Sequence, residues 1–340
     1  MALFIYSSER STIMPNNFFS SENLEAPDFY SPDFLPSRKA NGTKDILSSP
    51  EKIYSYLSER VYKMEEAKKA VSMFIYKALK GINSEKVILI ASESGTGKSH
   101  LISVLSEVVP NMVISDGSSM VPSGYKGGNR VCTCLQKLDT TSGNAGFVVI
   151  DEFNRLLSKG LGSWSDSSLL AELLVLFDDK DVKVNAGTED KPCWVNPSKL
   201  FFILLGSWSD ITDQKKLNIG FNANIGNSDS EHRPQITKEQ ILEELSQWPE
   251  LVGRISRIIV NPNMTERDYY SILKDPRFSP AARLEDELNI RIKISQKKMH
   301  EFAEKSYASG TGVRGVKNAL LERVDEALFS NPDLKEIYIR

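Results

Sequence analysis

A P-loop α/β domain built on a doubly wound parallel sheet, followed by a smaller and mainly helical C-terminal domain, is the architecture this sequence predicts. Three observations predict it. Short apolar runs alternate with helical periods between Lys86 and Leu205, as they do when strands and helices take turns in a parallel sheet. The turn SESGTGKS, from Ser92 to Ser99, joins the first of those runs directly to a helix. Beyond Asn261 helical periods dominate, with two short strand-like stretches among them.

Taken in order, residues 1–46 read as a flexible arm. Pro15, Pro27, Pro32 and Pro36 interrupt a Ser- and Asn-rich stretch that has neither helical nor alternating period. Its aromatics (Phe18, Phe19, Phe29, Tyr30, Phe34) are many for a linker, so docking on its own body or on a partner is an open alternative. Residues 47–260 form the large α/β domain. Ala67, Ala70, Val71, Phe74 and Ala78 repeat at i, i+3, i+4, i+7, which predicts an amphipathic helix that Gly81 stops. Lys86–Ala91 is a buried parallel strand by its unbroken apolarity, and a helix follows from about Lys98 to Val108. Asn111–Ser115, Gly146–Ile150 and Lys199–Leu205 are three further strands, with a leucine-rich helix carrying Leu169, Leu170, Leu173, Leu174 and Phe177 before the last. Residues 261–340 form the small domain, with strands at Ile290, Ile292 and Ile294 and at Ile337 and Ile339.

Composition narrows the class. The chain has 340 residues and a formal net charge of −3. That length buries a substantial core, and the charge gives no bulk electrostatic reason to bind nucleic acid. Cys132, Cys134 and Cys193 form no CxxC pair, which argues against a disulfide framework and against a zinc site. No apolar run approaches the ~20 residues that span a bilayer. The N-terminal MALFIYSSER lacks the basic start and long apolar stretch of a secretory leader, so a cytoplasmic protein is expected.

The chemistry is concentrated at strand ends. In SESGTGKS the residues Gly97, Lys98 and Ser99 match the end of the P-loop pattern GxxxxGK[ST], with Ser92 where its first glycine stands. Backbone N–H groups of Ser94, Gly95, Thr96 and Gly97, with Lys98, Ser99 and His100 opening the helix, would surround the phosphates of ATP. Lys98 neutralises them and the Ser99 hydroxyl binds Mg²⁺. Ser92 is expected to take a turn that glycine adopts more cheaply. FVVIDE places Asp151 and Glu152 at the C-terminal tip of a strand, where open α/β sheets bind ligands. Asp151 is expected to hold Mg²⁺, directly or through water, and Glu152 to polarise the attacking water as general base. Gly124-Tyr125-Lys126-Gly127 reads as a β-turn or as an aromatic on a glycine hinge. Arg254, ending PELVGR, and Arg314, in TGVRG at a helix start, fit a pair of arginines that sense the γ-phosphate.

From about Ser49 to Arg340 these motifs, in this order, resemble the AAA+ module of the ClpX protein unfoldases, with the HslU branch next nearest. RVYKMEEAKK resembles that family's adenine-binding segment, which implies that Val61 and Tyr62 contact the base; Lys63-Met64 stands where the family has Gly-Gln. GYKG resembles the GYVG pore loop, implying Tyr125 as a substrate paddle with Gly124, Lys126 and Gly127 around it. Ser158 to Asp166 falls where the second pore loop lies, and Ser207 in LFFILLGSWSD occupies the sensor-1 strand. PELVGRIS is similar to PEFIGRLP, implying Arg254 as an arginine finger reaching a neighbour's ATP. TGVRGVKN is similar to TGARGLRS, implying Arg314 as the sensor-2 arginine acting in cis. Ile219-Gly220-Phe221 matches the IGF tripeptide that docks a peptidase of the ClpP type. The resemblance thus implies a homo-hexameric ring, protein substrates, and ATP with Mg²⁺. Without a CxxC pair it does not extend to the family's zinc-binding N-terminal domain, whose place the proline-broken arm takes.

Three functions compete on this basis. The first is an ATP-driven unfoldase or remodelling motor. The second is a nucleic-acid motor or loader, which needs a basic stripe that Lys77, Lys80, Lys126 and Arg130 do not make. The third is a regulatory ring member with weak ATPase activity.

Overall fold

The computed structural model of the protein describes residues 29–30, 42–122, 129–139, 144–159, 164–181, 183–186, 192, 194–208 and 235–340. Helix α1 (Pro50–Ser58) starts on Ser49, whose hydroxyl accepts the Lys52 amide, with Pro50 in the first turn where its missing N–H costs nothing. Helix α2 (Glu65–Leu79) ends at Gly81, whose φ of 72° lets the Ile82 amide turn back to the Lys77 carbonyl. Strand β1 (Val87–Ser92) and helix α3 (Lys98–Ser106) flank the SESGTGKS turn as predicted. Strand β2 (Met112–Asp116), strand β3 (Gly146–Asp151), helices α4 (Phe153–Lys159) and α5 (Trp164–Phe177), and strand β4 (Leu200–Ser207) follow in turn. After helix α6 (Lys238–Leu245) comes β5 (Arg257–Val260).

These strands form one parallel sheet in the order β5-β1-β4-β3-β2. The sheet has five strands where the sequence predicted four. The fifth, RIIV, has only two fully apolar-facing positions and begins on an exposed arginine, so its periodicity is too short to read; pairing with β1 is what makes it a strand. Both faces of the sheet are covered, which explains the unbroken apolar runs. Leu89, Val148, Phe202 and Leu204 enter one core with α4 and α5. Ile88, Ile90, Val149 and Ile203 enter the other with α1, α2 and α3.

A third core lies C-terminal to the sheet, built by α7 (Glu266–Lys274), α8 (Pro280–Leu288), β6 (Arg291–Ser295), α9 (Gln296–Ser309), α10 (Gly312–Ser330) and β7 (Glu336–Ile339). Val316, Leu320 and Val324 are the wholly buried face of α10. Strand β6 pairs in parallel with β7 and antiparallel with Phe29–Tyr30. The arm therefore contributes a strand to its own body, and Thr43–Ile46 is a short helix. The pairing of Phe29–Tyr30 is of the kind left open above, docking of the arm on its own body, and it is supplied by β6 rather than by any local period. No helix among the described residues is long and apolar enough to cross a membrane.

Candidate active site

Sheet order sets the site. Strand β4 lies between β1 and β3, so the tips of these three strands stand side by side at one edge, Ser92 opposite Ser207. The phosphate loop leaves β1 at this edge. Gly95 and Gly97 carry φ of 76° and 103°, and Gly97 precedes the first residue of α3, so the backbone reaches the helix N-terminus through left-handed positions that glycine takes freely. Ser92 does not need such a position. It ends the strand with ordinary backbone, is wholly buried, and its hydroxyl lies 2.5 Å from Thr96 Oγ1. The expected strain at the missing first glycine is thus absent. The serine instead becomes a ligand for the loop lysine.

Lys98 is only 6% exposed. Its ammonium donates to Ser92 Oγ at 2.7 Å, Glu93 O at 2.8 Å and Ser92 O at 3.3 Å. Burial pushes its pKa down to about 8; Asp151 pulls it back up, while Arg314 pushes it further down. Ser99 Oγ donates to Asp151 Oδ2 at 2.6 Å, so the predicted hydroxyl and carboxylate meet across 52 positions of sequence. Asp151 Oδ1 accepts the Glu152 amide at 2.9 Å. Glu152 has φ of 52°, left-handed for a non-glycine residue and worth about 1–2 kcal/mol of strain, and its carboxylate pairs with Arg155 at 3.2 Å. Asn154 Oδ1 accepts the Ser207 amide at 3.0 Å, tying the start of α4 to the tip of β4.

Of these groups Lys98, Ser99, Asp151, Glu152 and Ser207 line a cavity of about 250 Å³ bordered on its other side by the C-terminal core. Predicted residues Val61, Tyr62, Ser94, Gly95, Thr96, Gly97, Lys98, Ser99, His100, Asp151, Glu152, Ser207 and Arg314 all border it. Sequence reasoning missed Arg60, Met264, Ile272, Phe278, Pro280, Arg283, Val313 and Lys317, which border it too. Arg60 opens the RVYKMEEAKK segment and Val313 and Lys317 flank Arg314 in TGVRGVKN, but Met264, Ile272, Phe278, Pro280 and Arg283 sit in no motif. Phe278 is found through Tyr62, whose ring meets it edge-on at 5.4 Å.

Three contacts join the cavity walls. Gly95 meets Gly312 so closely that a Cβ on Gly312 would lie 2.7 Å from Gly95 O. Arg283 Nη2 lies 2.9 Å from His100 Nε2. Asp268 accepts Tyr62 Oη at 3.1 Å and Lys63 Nζ at 2.6 Å. Lys63 and Met64, at the family's Gly-Gln position, both have positive φ, 53° and 62°. Lys63 thus takes the backbone that a glycine would take, and its side chain is held by the nearly buried Asp268 carboxylate.

The other predictions fall elsewhere. Arg254 does not border the cavity; its Nε donates to Asp178 at 2.8 Å and its Nη1 to Glu250 O at 2.9 Å. Gly124, Tyr125, Lys126 and Gly127 lie outside the described residues, as do Ile219, Gly220 and Phe221. The side chains of Ser158 and Trp164 are also outside them.

An oxygen-donor pair such as Ser99 and Asp151 suits Mg²⁺, which binds through one or two carboxylates or hydroxyls and completes its shell with phosphate and water. Among the described residues no three His, Cys, Asp or Glu side chains gather to hold a metal by themselves, so a site shared with a nucleotide's phosphates fits the donor set better than a protein-only cage.

No family model matches the chain. Curated relatives do. The ATP-dependent Clp protease ATP-binding subunit ClpX 2 of Wolinella succinogenes is 26% identical over 334 residues, covering 88% of this chain and 82% of its own length. The ATP-dependent Clp protease ATP-binding subunits ClpX of Borrelia duttonii and Borrelia recurrentis are each 22% identical over 327 residues, covering 86% of this chain and 76% of theirs. Similarity of this extent runs through the parallel sheet, the phosphate loop and the C-terminal core alike. Over most of its length the chain is thus similar to the ClpX-type ATP-binding subunits of ATP-dependent Clp proteases, a likeness that supports a ClpX-type AAA+ ATPase.

Proposed function

We propose that this protein uses ATP hydrolysis to unfold or remodel protein substrates, threading polypeptide through the pore of a homo-hexameric ring. What chiefly supports the reading is the convergence of Lys98, Ser99, Asp151, Glu152 and Arg314 on one cavity between the α/β unit and the C-terminal unit. Val61 and Tyr62 hold the adenine. The loop amides and Lys98 hold the β- and γ-phosphates. Ser99 and Asp151 hold Mg²⁺, which supplies charge neutralisation at the phosphates. Glu152 takes a proton from water as its oxygen bonds to the γ-phosphorus, and ADP leaves with the electron pair of the broken P–O bond. Arg314 reads the γ-phosphate in cis. Arg254, outside its own cavity, is free of that task and serves the neighbour's, which requires a ring.

Residues 47–260 and 261–340 act as two units that change their relative angle with nucleotide state. Tyr125 carries that motion to the substrate. Ile219, Gly220 and Phe221 dock a ClpP-type peptidase, in keeping with the Clp protease subunits to which the chain is similar. The deciding experiment compares Tyr125→Ala with wild type in ATPase rate and in unfolding of a tagged fluorescent protein. ATPase retained with unfolding lost is the expected result; unfolding at the wild-type rate overturns the threading reading.

A further inference from the structure

The cavity holds more positive charge than Lys98 and Arg314 account for. Arg60, Arg283 and Lys317 border it as well, against only two lining acids, Asp151 and Glu152. Arg60 is tied to the end of α1 just before it: its guanidinium stacks over Tyr56 at 4.0 Å and donates to Tyr56 O and Glu59. Lys317 lies one turn along α10 from Arg314, on the same wall. Arg283 differs from both, because it comes from α8 and reaches across to the helix that carries the phosphate loop.

Its position along the cavity is defined by its neighbours. One end is marked by Lys98 and by the Ser99–Asp151 pair, where the terminal phosphates and the metal belong. The other is marked by Tyr62, Ile272 and Phe278, an apolar wall of the kind that takes a purine. His100 directly follows Ser99, and its Nε2 lies 3.1 Å from the carbonyl of Arg60, the residue before Val61. Arg283 Nη2 meets that same ring nitrogen at 2.9 Å. The Arg283 guanidinium therefore meets a residue that adjoins both ends, next to Ser99 in sequence and against the carbonyl that precedes Val61. In a nucleotide laid base to apolar wall and terminal phosphate to Lys98, the middle is the ribose and the α-phosphate.

We propose that Arg283 is a further cis-acting nucleotide-binding residue, whose guanidinium donates to α-phosphate oxygens of the bound adenine nucleotide. The proposal rests on the assignment of this cavity to ATP. A phosphate oxygen is a far better partner for a guanidinium than a ring nitrogen, being charged and able to accept two parallel N–H bonds. Exchanging His100 for phosphate thus strengthens the contact. It also gives the C-terminal unit a second grip on the nucleotide, from α8, whose Ala281 and Leu284 are buried in that unit's core.

The test is titration calorimetry of the full chain with ADP and with ADP thio-substituted at the α-phosphate, both with Mg²⁺. Arg283→Ala is expected to weaken ADP binding about ten-fold, with Arg283→Lys recovering part of the loss. Thio-substitution should weaken wild type several-fold and leave Arg283→Ala unaffected, a coupling that a merely structural arginine would not produce. Thermal melting without nucleotide checks the fold; should Arg283→Ala melt early, Arg283→Gln carries the same comparison. Unchanged ADP affinity in the variant, or an equal thio penalty in variant and wild type, overturns the proposal. Should Lys98→Ala lose ADP binding while Arg283→Ala does not, only the Arg283 assignment falls. Should wild type bind no ADP, the assignment of the cavity falls with it.

Discussion

Lys98 is buried among the oxygens of Ser92 and Glu93, and burial brings its pKa from the usual lysine value to about 8. Between about pH 8 and the ordinary 10.5 the unfolded chain keeps a proton that the folded chain has lost, so folding stability rises with pH through this window. Below pH 8 both forms are charged and the burial penalty is felt in full. Nucleotide phosphates need the charged form. ADP affinity is therefore expected to fall as pH rises above about 8, and Lys98→Arg, which stays charged, should flatten that fall; titrations across this range in both proteins check it. On the proposed assignment of Glu152 as general base, Glu152→Gln should lower the ATPase rate by about 10²–10⁴-fold while bound ATP persists. Coupled-enzyme assays and nucleotide extraction measure the two. Normal turnover in that variant would sink the assignment.

At the scale of elements, the start of α10 touches the phosphate loop through two glycines. A methyl group on Gly312 would meet Gly95 O at 2.7 Å on a residue whose φ is already 65°. Gly312→Ala should cost about 1–3 kcal/mol and weaken nucleotide binding together, measured by denaturant melts and titration, because the loop must shift to make room. The N-terminus of α7 makes a second joint. Thr265 and Asp268 form a reciprocal capping box, and the same Asp268 carboxylate takes Lys63 and Tyr62 from the other side of the cavity. Burial alone would raise the Asp268 pKa, yet Lys63 and the Thr265 donors outweigh it and hold the carboxyl below its ordinary value. The stability it confers is present above the unfolded carboxyl pKa of about 4 and is lost as pH falls below that. Asp268→Ala is expected to cost about 2–3 kcal/mol at neutral pH, by leaving four half-buried donors without their acceptor, and chemical denaturation reads it directly.

Across the whole molecule, the cavity is a joint whose two walls touch at Gly95–Gly312, His100–Arg283 and Lys63–Asp268. A ligand gripped by both walls should stiffen the joint. ATP bound to Glu152→Gln is expected to slow amide hydrogen exchange in 95–100, 280–288 and 312–317, while the central strands, already protected, change little. Equal exchange with and without ATP would count against coupling between the units. Much of this joint was legible in the sequence as separate pieces. SESGTGKS and FVVIDE announce themselves because each packs its chemistry into a few adjacent residues with a definite strand or helix beside it. Arg314 was legible from TGVRG. Met264, Ile272, Phe278 and Arg283 were not, since nothing local separates an apolar or basic residue that lines a cavity from one that fills a core or meets water. Strand β5 escaped for a related reason, its four residues being defined by pairing with β1.

The phosphate loop, the acidic strand end and the order of the strands and helices were determined by the sequence itself, since they depend on backbone freedom, periodicity and short-range spacing. Only the tertiary structure decided that Ser92 replaces the first glycine without strain and lends its hydroxyl to Lys98. It also decided that Lys63 adopts a glycine-like backbone while bridging to Asp268, and that Arg283 faces His100 across 183 positions of chain. Those are matters of which surfaces meet, and meeting is set by how the three cores pack rather than by any one stretch of residues.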